Sequence, residues 1–142
     1  MKKRVLAMAM TLAMALSLLP VSALAVEEGS DSTTQTISSA IEAGETEITL
    51  SEDVTEDSFT IPADKSVVLN LNGHTLNVKQ INVLGTLEVQ NTGSAGKISA
   101  TPDDGTGAIA VDSGKFILTS GLIESTSYGV YLLNNAYAVV NG

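Results

Sequence analysis

The chain has no cysteine. No disulfide can staple it, so any domain it forms must hold together through its core. Arginine stops at Arg4, histidine occurs once, at His74, and proline occurs only at positions 20, 62 and 102. No Walker, zinc-ligand or nucleophile-elbow pattern occurs. No helical period is found after Gly44. These absences exclude a disulfide scaffold, a helical bundle and the common motif-bearing enzymes. Positive charge is also scarce. Beyond Arg4 only Lys65, Lys79, Lys97 and Lys115 oppose sixteen acids, a net charge of −12 for that part of the chain. Such a balance excludes a basic groove for nucleic acid and opposes anionic membranes. It also opposes an acidic polysaccharide unless a cation bridges it.

The first residues have a different character. Met1-Lys2-Lys3-Arg4 is followed by an apolar run from Val5 to Leu19, then Pro20 and Ala23-Leu24-Ala25. A basic start, an apolar centre and a small-x-small site make a secretory signal peptide, cleaved after Ala25. The apolar run is about 15 residues, short of the roughly 20 a membrane span needs. No transmembrane span is expected after cleavage. Residues 26–35, acidic and without periodicity, read as a flexible leader. In Thr36 to Gly44, Ile37, Ala40 and Ile41 share one helical face and Gly44 provides a stop. This short helix is expected to lay its stripe on the open first coil of a strand region that begins near Glu47.

From Glu47 onward the pattern has a period of two. Glu47–Leu50, Ser58–Ile61, Val67–Leu71, Thr75–Val78, Ile81–Val83 and Thr86–Gln90 alternate, punctuated by Asn-Gly, Thr-Gly and Ser-Gly. Near the end there is a 21-residue echo. Ile109 and Val111 are answered by Val130 and Leu132, Phe116 by Tyr137, Leu118 by Val139 and Gly121 by Gly142. A fixed short offset between alternating strands signals coils stacked about 4.8 Å apart. Identical inward positions should then lie one above another. Phe116 and Leu118 are read as inward, and Tyr137 stacks on Phe116. Leu69 and Leu71 are expected to stack with Leu87 and Val89, with Leu71 inward and Asn70 outward. Asn70, Asn72, Asn91, Asn134 and Asn135 are placed at bends, bonding one another from coil to coil. The expected fold is all-β: a right-handed parallel β-helix (β-solenoid) over residues 36–142 with a short N-terminal capping helix. Its last coil is unfinished at Gly142, so the remainder of the same polypeptide is expected beyond that residue.

The segment Ser66-Val67-Val68-Leu69-Asn70-Leu71-Asn72-Gly73-His74-Thr75-Leu76, led in by Ile48–Thr55 and Phe59–Pro62, resembles secreted bacterial right-handed parallel β-helix proteins of the pectate-lyase-like superfamily. Gly114 to Ile123 resembles the later coils of such proteins. The resemblance implies an exported protein of the bacterial cell surface or the extracellular space. Its scaffold serves lyases, hydrolases and non-catalytic adhesin-like proteins alike. The lyases hold Ca²⁺ with acids and use a basic residue, typically arginine, as base. The hydrolases cluster aspartates with a histidine and basic residues. Neither set is present here, and no catalytic residue is assigned. The function expected is non-catalytic and adhesin-like, with a polysaccharide or a host or cell-surface glycan as partner. The alternative is a lyase or glycoside hydrolase whose cleft lies in coils beyond Gly142.

Three features carry whatever chemistry the residues offer. His74 lies beside the Asn72-Gly73 turn and reads as a structural donor. Asp103 and Asp104 in the loop Thr101–Gly107 are the candidates for Ca²⁺, with turn formation the competing role. Tyr128 and Tyr131 are the carbohydrate-contact candidates, Tyr128 in a bend and Tyr131 facing outward opposite Ala110. No other cofactor is expected. The signal reading predicts that N-terminal sequencing of secreted material will begin at Val26; a start at Met1 in a membrane fraction would refute it.

Overall fold

The computed structural model describes residues 36–103 and 105–141. The expected signal peptide and leader, Asp104 and Gly142 lie outside them. A short helix, α1 (Ile37–Glu42), precedes thirteen strands. They are β1 (Glu47–Thr49), β2 (Val54–Thr55), β3 (Ser58–Ile61), β4 (Ser66–Asn70), β5 (Thr75–Val78), β6 (Gln80–Val83), β7 (Thr86–Gln90), β8 (Lys97–Ala100), β9 (Gly107–Asp112), β10 (Lys115–Leu118), β11 (Leu122–Ser125), β12 (Tyr128–Leu133) and β13 (Tyr137–Val140).

Every third strand is a neighbour. The sheets run β1-β4-β7-β10-β13, β2-β5-β8-β11 and β3-β6-β9-β12, and all pairings are parallel. The chain is therefore a parallel β-solenoid of four three-strand coils, with β13 starting a fifth. Alternation drives this arrangement. In β3 the burial runs exposed, buried, exposed, buried, and β7 and β10 repeat it in their own parity. Ile48, Leu69, Val89 and Leu118 stack in one inward column, with Val67, Leu87 and Phe116 beside it. Burying each such side chain is worth about 1.5–3 kcal/mol. Among the described residues no polar or charged residue is buried. The column suits parallel pairing because like apolar shapes recur at one strand spacing.

The helix covers the first coil. Thr36 caps it by accepting from the Ser39 amide, and Gly44, at φ +90°, ends it. Ile37, Ala40 and Ile41 are buried and join the core. Glu56, entering β3, fixes the helix start. Its carboxylate accepts from the Ile37 amide at 3.1 Å and the Ser38 amide at 3.2 Å. A carboxylate there also meets the positive end of the helix dipole.

The bends use polar side chains and glycine. Asn72 (φ +49°) and Gly73 (φ +86°) turn the chain between β4 and β5, and the His74 amide closes the turn onto Leu71 O. Asn72 Nδ2 donates to Leu50 O, Asn91 Oδ1 accepts from the Gly73 amide, and Asn70 bonds Thr92. The asparagines thus tie backbone and threonine across coils rather than bonding one another as expected. At Gly114 a Cβ would lie 2.5 Å from Gly85 O, and at Gly85 it would overlap Pro62 O and Lys65 O. Only glycine lets these bends stack.

Two stacking expectations need correction. Val67 lies against Leu87 and Leu69 against Val89, two residues from the expected partners, so Leu71 does not meet Val89. In the last rung Phe116 pairs with Ala138, Ile117 with Val139 and Leu118 with Val140. Tyr137 pairs with Lys115 and is 52 % exposed, so it is not core. The turn into β13 holds Asn134, Asn135 and Ala136, one residue more than Ser113-Gly114 in the turn below. That insertion shifts the offset from 21 to 22 residues and reverses the facing of Tyr137 and Val139.

Leu71 is fully buried, whereas Asn70 bonds Thr92 at the surface. Leu71→Asp is expected to lower stability by ~3 kcal/mol or more, through an unpaired buried carboxylate. Asn70→Asp is expected to cost far less. Comparable losses in denaturant melts would contradict this register. Among the described residues β13 has one unpaired edge, and Leu132, Leu133, Val139 and Val140 are exposed beside it. Residues 26–142 are expected to self-associate at high concentration, and Val139→Lys to shift them towards monomer in sedimentation. A stable monomer with slow amide exchange in 137–140 would refute this.

Candidate functional site

The two tyrosines singled out in the sequence lie together on the fourth coil. Tyr128 opens β12 instead of sitting in the bend, opposite Gly107, and Tyr131 lies opposite Ala110. Side chains three apart on a regular strand face opposite sides. These rings nevertheless approach to 6.3 Å between centroids, tilted by 34°. The bend at Thr126-Ser127 leads directly into β12 at Tyr128. The residues beneath are small, and a Cβ on Gly107 would lie 3.1 Å from Tyr131 Cβ. Tyr128 is 61 % exposed and Tyr131 37 %. Below Ala110 lies Asn82, whose side chain faces the same way, and below that Thr60. The result is an aromatic ledge above a low, polar step. Such a ledge can stack on the apolar face of a sugar ring while an amide and a hydroxyl supply hydrogen bonds.

Asp103 sits elsewhere. Its Oδ2 is 3.6 Å from Lys79 Nζ, which also holds Asp57 Oδ1 at 3.0 Å. The hydrogen bond and charge of Asp57, followed by the charge of Asp103, raise the Lys79 ammonium above its ordinary range. The position between the two carboxylates is thus taken by an ammonium. Asp104 lies outside the described residues. Among those residues no group of three or more His, Asp or Glu side chains converges on a possible metal position.

The solenoid gives His74 a partner that local sequence did not reveal. Its Nδ1 is 3.7 Å from Asp53 Oδ1, one coil below, and Asp53 also accepts from the Thr75 amide at 2.8 Å. Asp53 therefore pins the bend after Gly73, and His74 lies on its flank. The spacing from Asp53 to Thr75 is one coil, which was the available signal.

Lysines are distributed unevenly. Lys79 is paired as described, and Lys97 holds Glu124 at 2.8 Å. Lys115 Nζ lies 5.4 Å from the Tyr137 ring centroid, a cation–π contact. Among the described residues neither Lys65 nor Lys115 has a carboxylate within ion-pair distance. Tyr137, expected in the core, thus becomes a surface aromatic beside the Lys115 ammonium.

No helix among the described residues is long and apolar enough to cross a membrane. No family model matches the chain, and no match to it was found among the curated proteins or the solved structures.

Proposed function

We propose that this is an exported, non-catalytic β-solenoid of the bacterial cell surface or extracellular space, adhesin-like, that binds carbohydrate. The observation that carries the reading is the exposed Tyr128–Tyr131 pair above the small residues Gly107 and Ala110. Two aromatic faces on a rigid sheet fit the apolar faces of pyranose rings at little cost in side-chain freedom. The signal-peptide pattern supports export. The resemblance at Leu69–Leu76 supports placement near the pectate-lyase-like superfamily. The near-universal hand of crossovers between parallel strands of one sheet supports right-handed winding. Against catalysis stands the side-chain inventory: His74 meets a single carboxylate, and Asp103 is held by Lys79.

Glycan-array binding of residues 26–142 at low protein concentration tests the reading. Tyr128→Ala and Tyr131→Ala are each expected to weaken retention by about threefold to tenfold, in line with one lost aromatic contact. Incubation with the same glycans should release neither unsaturated nor reducing sugars. Binding unaffected by both substitutions, or sugar release lost in Asp103→Asn, would overturn the proposal.

A further inference from the structure

A second surface is set apart by its charge. The bends that lead into β4, β7, β10 and β13 stack into a groove of ≈ 370 Å³, lined among others by Asp64, Lys65, Gly85, Gly114, Lys115 and Tyr137. Its geometry follows from the stacking. The Thr86 amide donates to Lys65 O, and the Lys115 amide donates to Gly85 O. Lys65 and Lys115 therefore stand two rungs apart, roughly 10 Å along the solenoid axis. Gly85 occupies the rung between them and Gly114 adjoins Lys115, and at both glycines backbone contacts forbid a side chain. The two cations flank a trough that cannot be filled from within. Tyr137, half exposed with Lys115 against its ring, forms the upper rim.

The chain has four lysines beyond Arg4, and two of them are neutralised by carboxylates. The remaining two share this groove, in a sequence otherwise strongly acidic. Among the described residues Asp64 is the only carboxylate that lines the groove. We propose that the groove binds an anionic saccharide, carboxylated or sulfated. Two of its acidic groups meet Lys65 and Lys115, and a ring lies against Tyr137. This rests on the glycan-binding reading and gives it a ligand class, at a site separate from Tyr128 and Tyr131. An extended oligosaccharide carries acidic groups at regular intervals along a straight line, which matches cations set along the coil axis. An acidic peptide fits less well. β4, β7 and β10 are interior strands of their sheet, with both edges occupied, and offer no free backbone for strand pairing.

The test is titration of residues 26–142 with a heparin-derived hexasaccharide and a galacturonate hexasaccharide, with maltohexaose as neutral control and polyglutamate as the peptide polyanion. At least one anionic hexasaccharide is expected to bind more tightly than both controls, with affinity falling as salt rises. The two anionic probes separate sulfate from carboxylate recognition. Lys65→Gln and Lys115→Gln should each weaken binding by about fivefold to tenfold, the loss of one charge-assisted contact at a partly exposed site. Asp64→Asn should tighten it, and Lys79→Gln should leave it unchanged. Circular dichroism confirms that each variant is folded. Binding lost in Lys115→Gln but kept in Tyr128→Ala supports the groove whatever becomes of the tyrosine ledge. The reverse pattern keeps the ledge and overturns the groove. Polyglutamate binding as well as the saccharides, or no binding of either anionic hexasaccharide, also overturns it.

Discussion

Everything in this molecule depends on the parallel hydrogen-bond ladder between coils. Each strand must lie one inter-strand spacing above its predecessor, so every inward position inherits the shape of the one below. The ladder makes uniform demands. Inward side chains must be apolar and alike, which gives the unbroken columns through Ile48, Leu69, Val89 and Leu118. Bends must stack as tightly as strands do. Where two bends touch backbone to backbone, as at Gly85 and Gly114, no Cβ fits. Where they do not touch, asparagine and threonine side chains bridge the gap, as Asn72 does to Leu50 O. Loops may grow only by projecting outward. The connections between β7 and β8 and between β8 and β9 are longer than their counterparts one coil earlier, which is why the coil offset is not constant.

Much of this was legible because alternation encodes facing directly. Parity fixes burial even when the stacking partner is wrong: Leu69 and Leu71 are both buried although the expected partners were two residues off. The echo between β9 and β12 also gave the true register, with Ile109 on Val130 and Val111 on Leu132. It failed one strand later for a physical reason. A repeat offset reports register only while the turns are equal, and Asn134-Asn135-Ala136 is one residue longer than Ser113-Gly114. One added residue reverses facing, so Tyr137 moved from core to surface. Among the strands not foreseen are β2 and β8. β2 has two residues, and β8 follows a run of Ser and Gly that reads as loop. Both form because the coils on either side supply a ladder, a tertiary cause that local pattern cannot carry.

The chemistry was less legible than the fold, because a solenoid brings residues together at one-coil spacing rather than at motif spacing. Asp53 reaches His74 and Thr75 from the coil below. Asp57 and Asp103 reach Lys79 from different coils. The adjacent pair Asp103-Asp104 suggested a cation site by local proximity. Asp103 also meets an ammonium, brought by the fold from 24 positions upstream. Local clustering is a poor guide in such an architecture; column membership is the better one.

The same principle explains why charge counting misleads. A net charge of −12 over the residues after Arg4 describes the far field and argues against anionic ligands. At contact distance the relevant quantity is the charge within about one Debye length, roughly 8 Å at physiological salt. Around Lys79 that local sum is negative, since two carboxylates surround one ammonium. In the groove the lining carries two ammonium groups, Lys65 and Lys115, and one carboxylate, Asp64, across bends that glycine keeps bare. For the proposed anionic ligand the acidic remainder would act as a filter: it would slow the approach of polyanions in general and favour one narrow enough to lie along the trough with its charges on the two lysines.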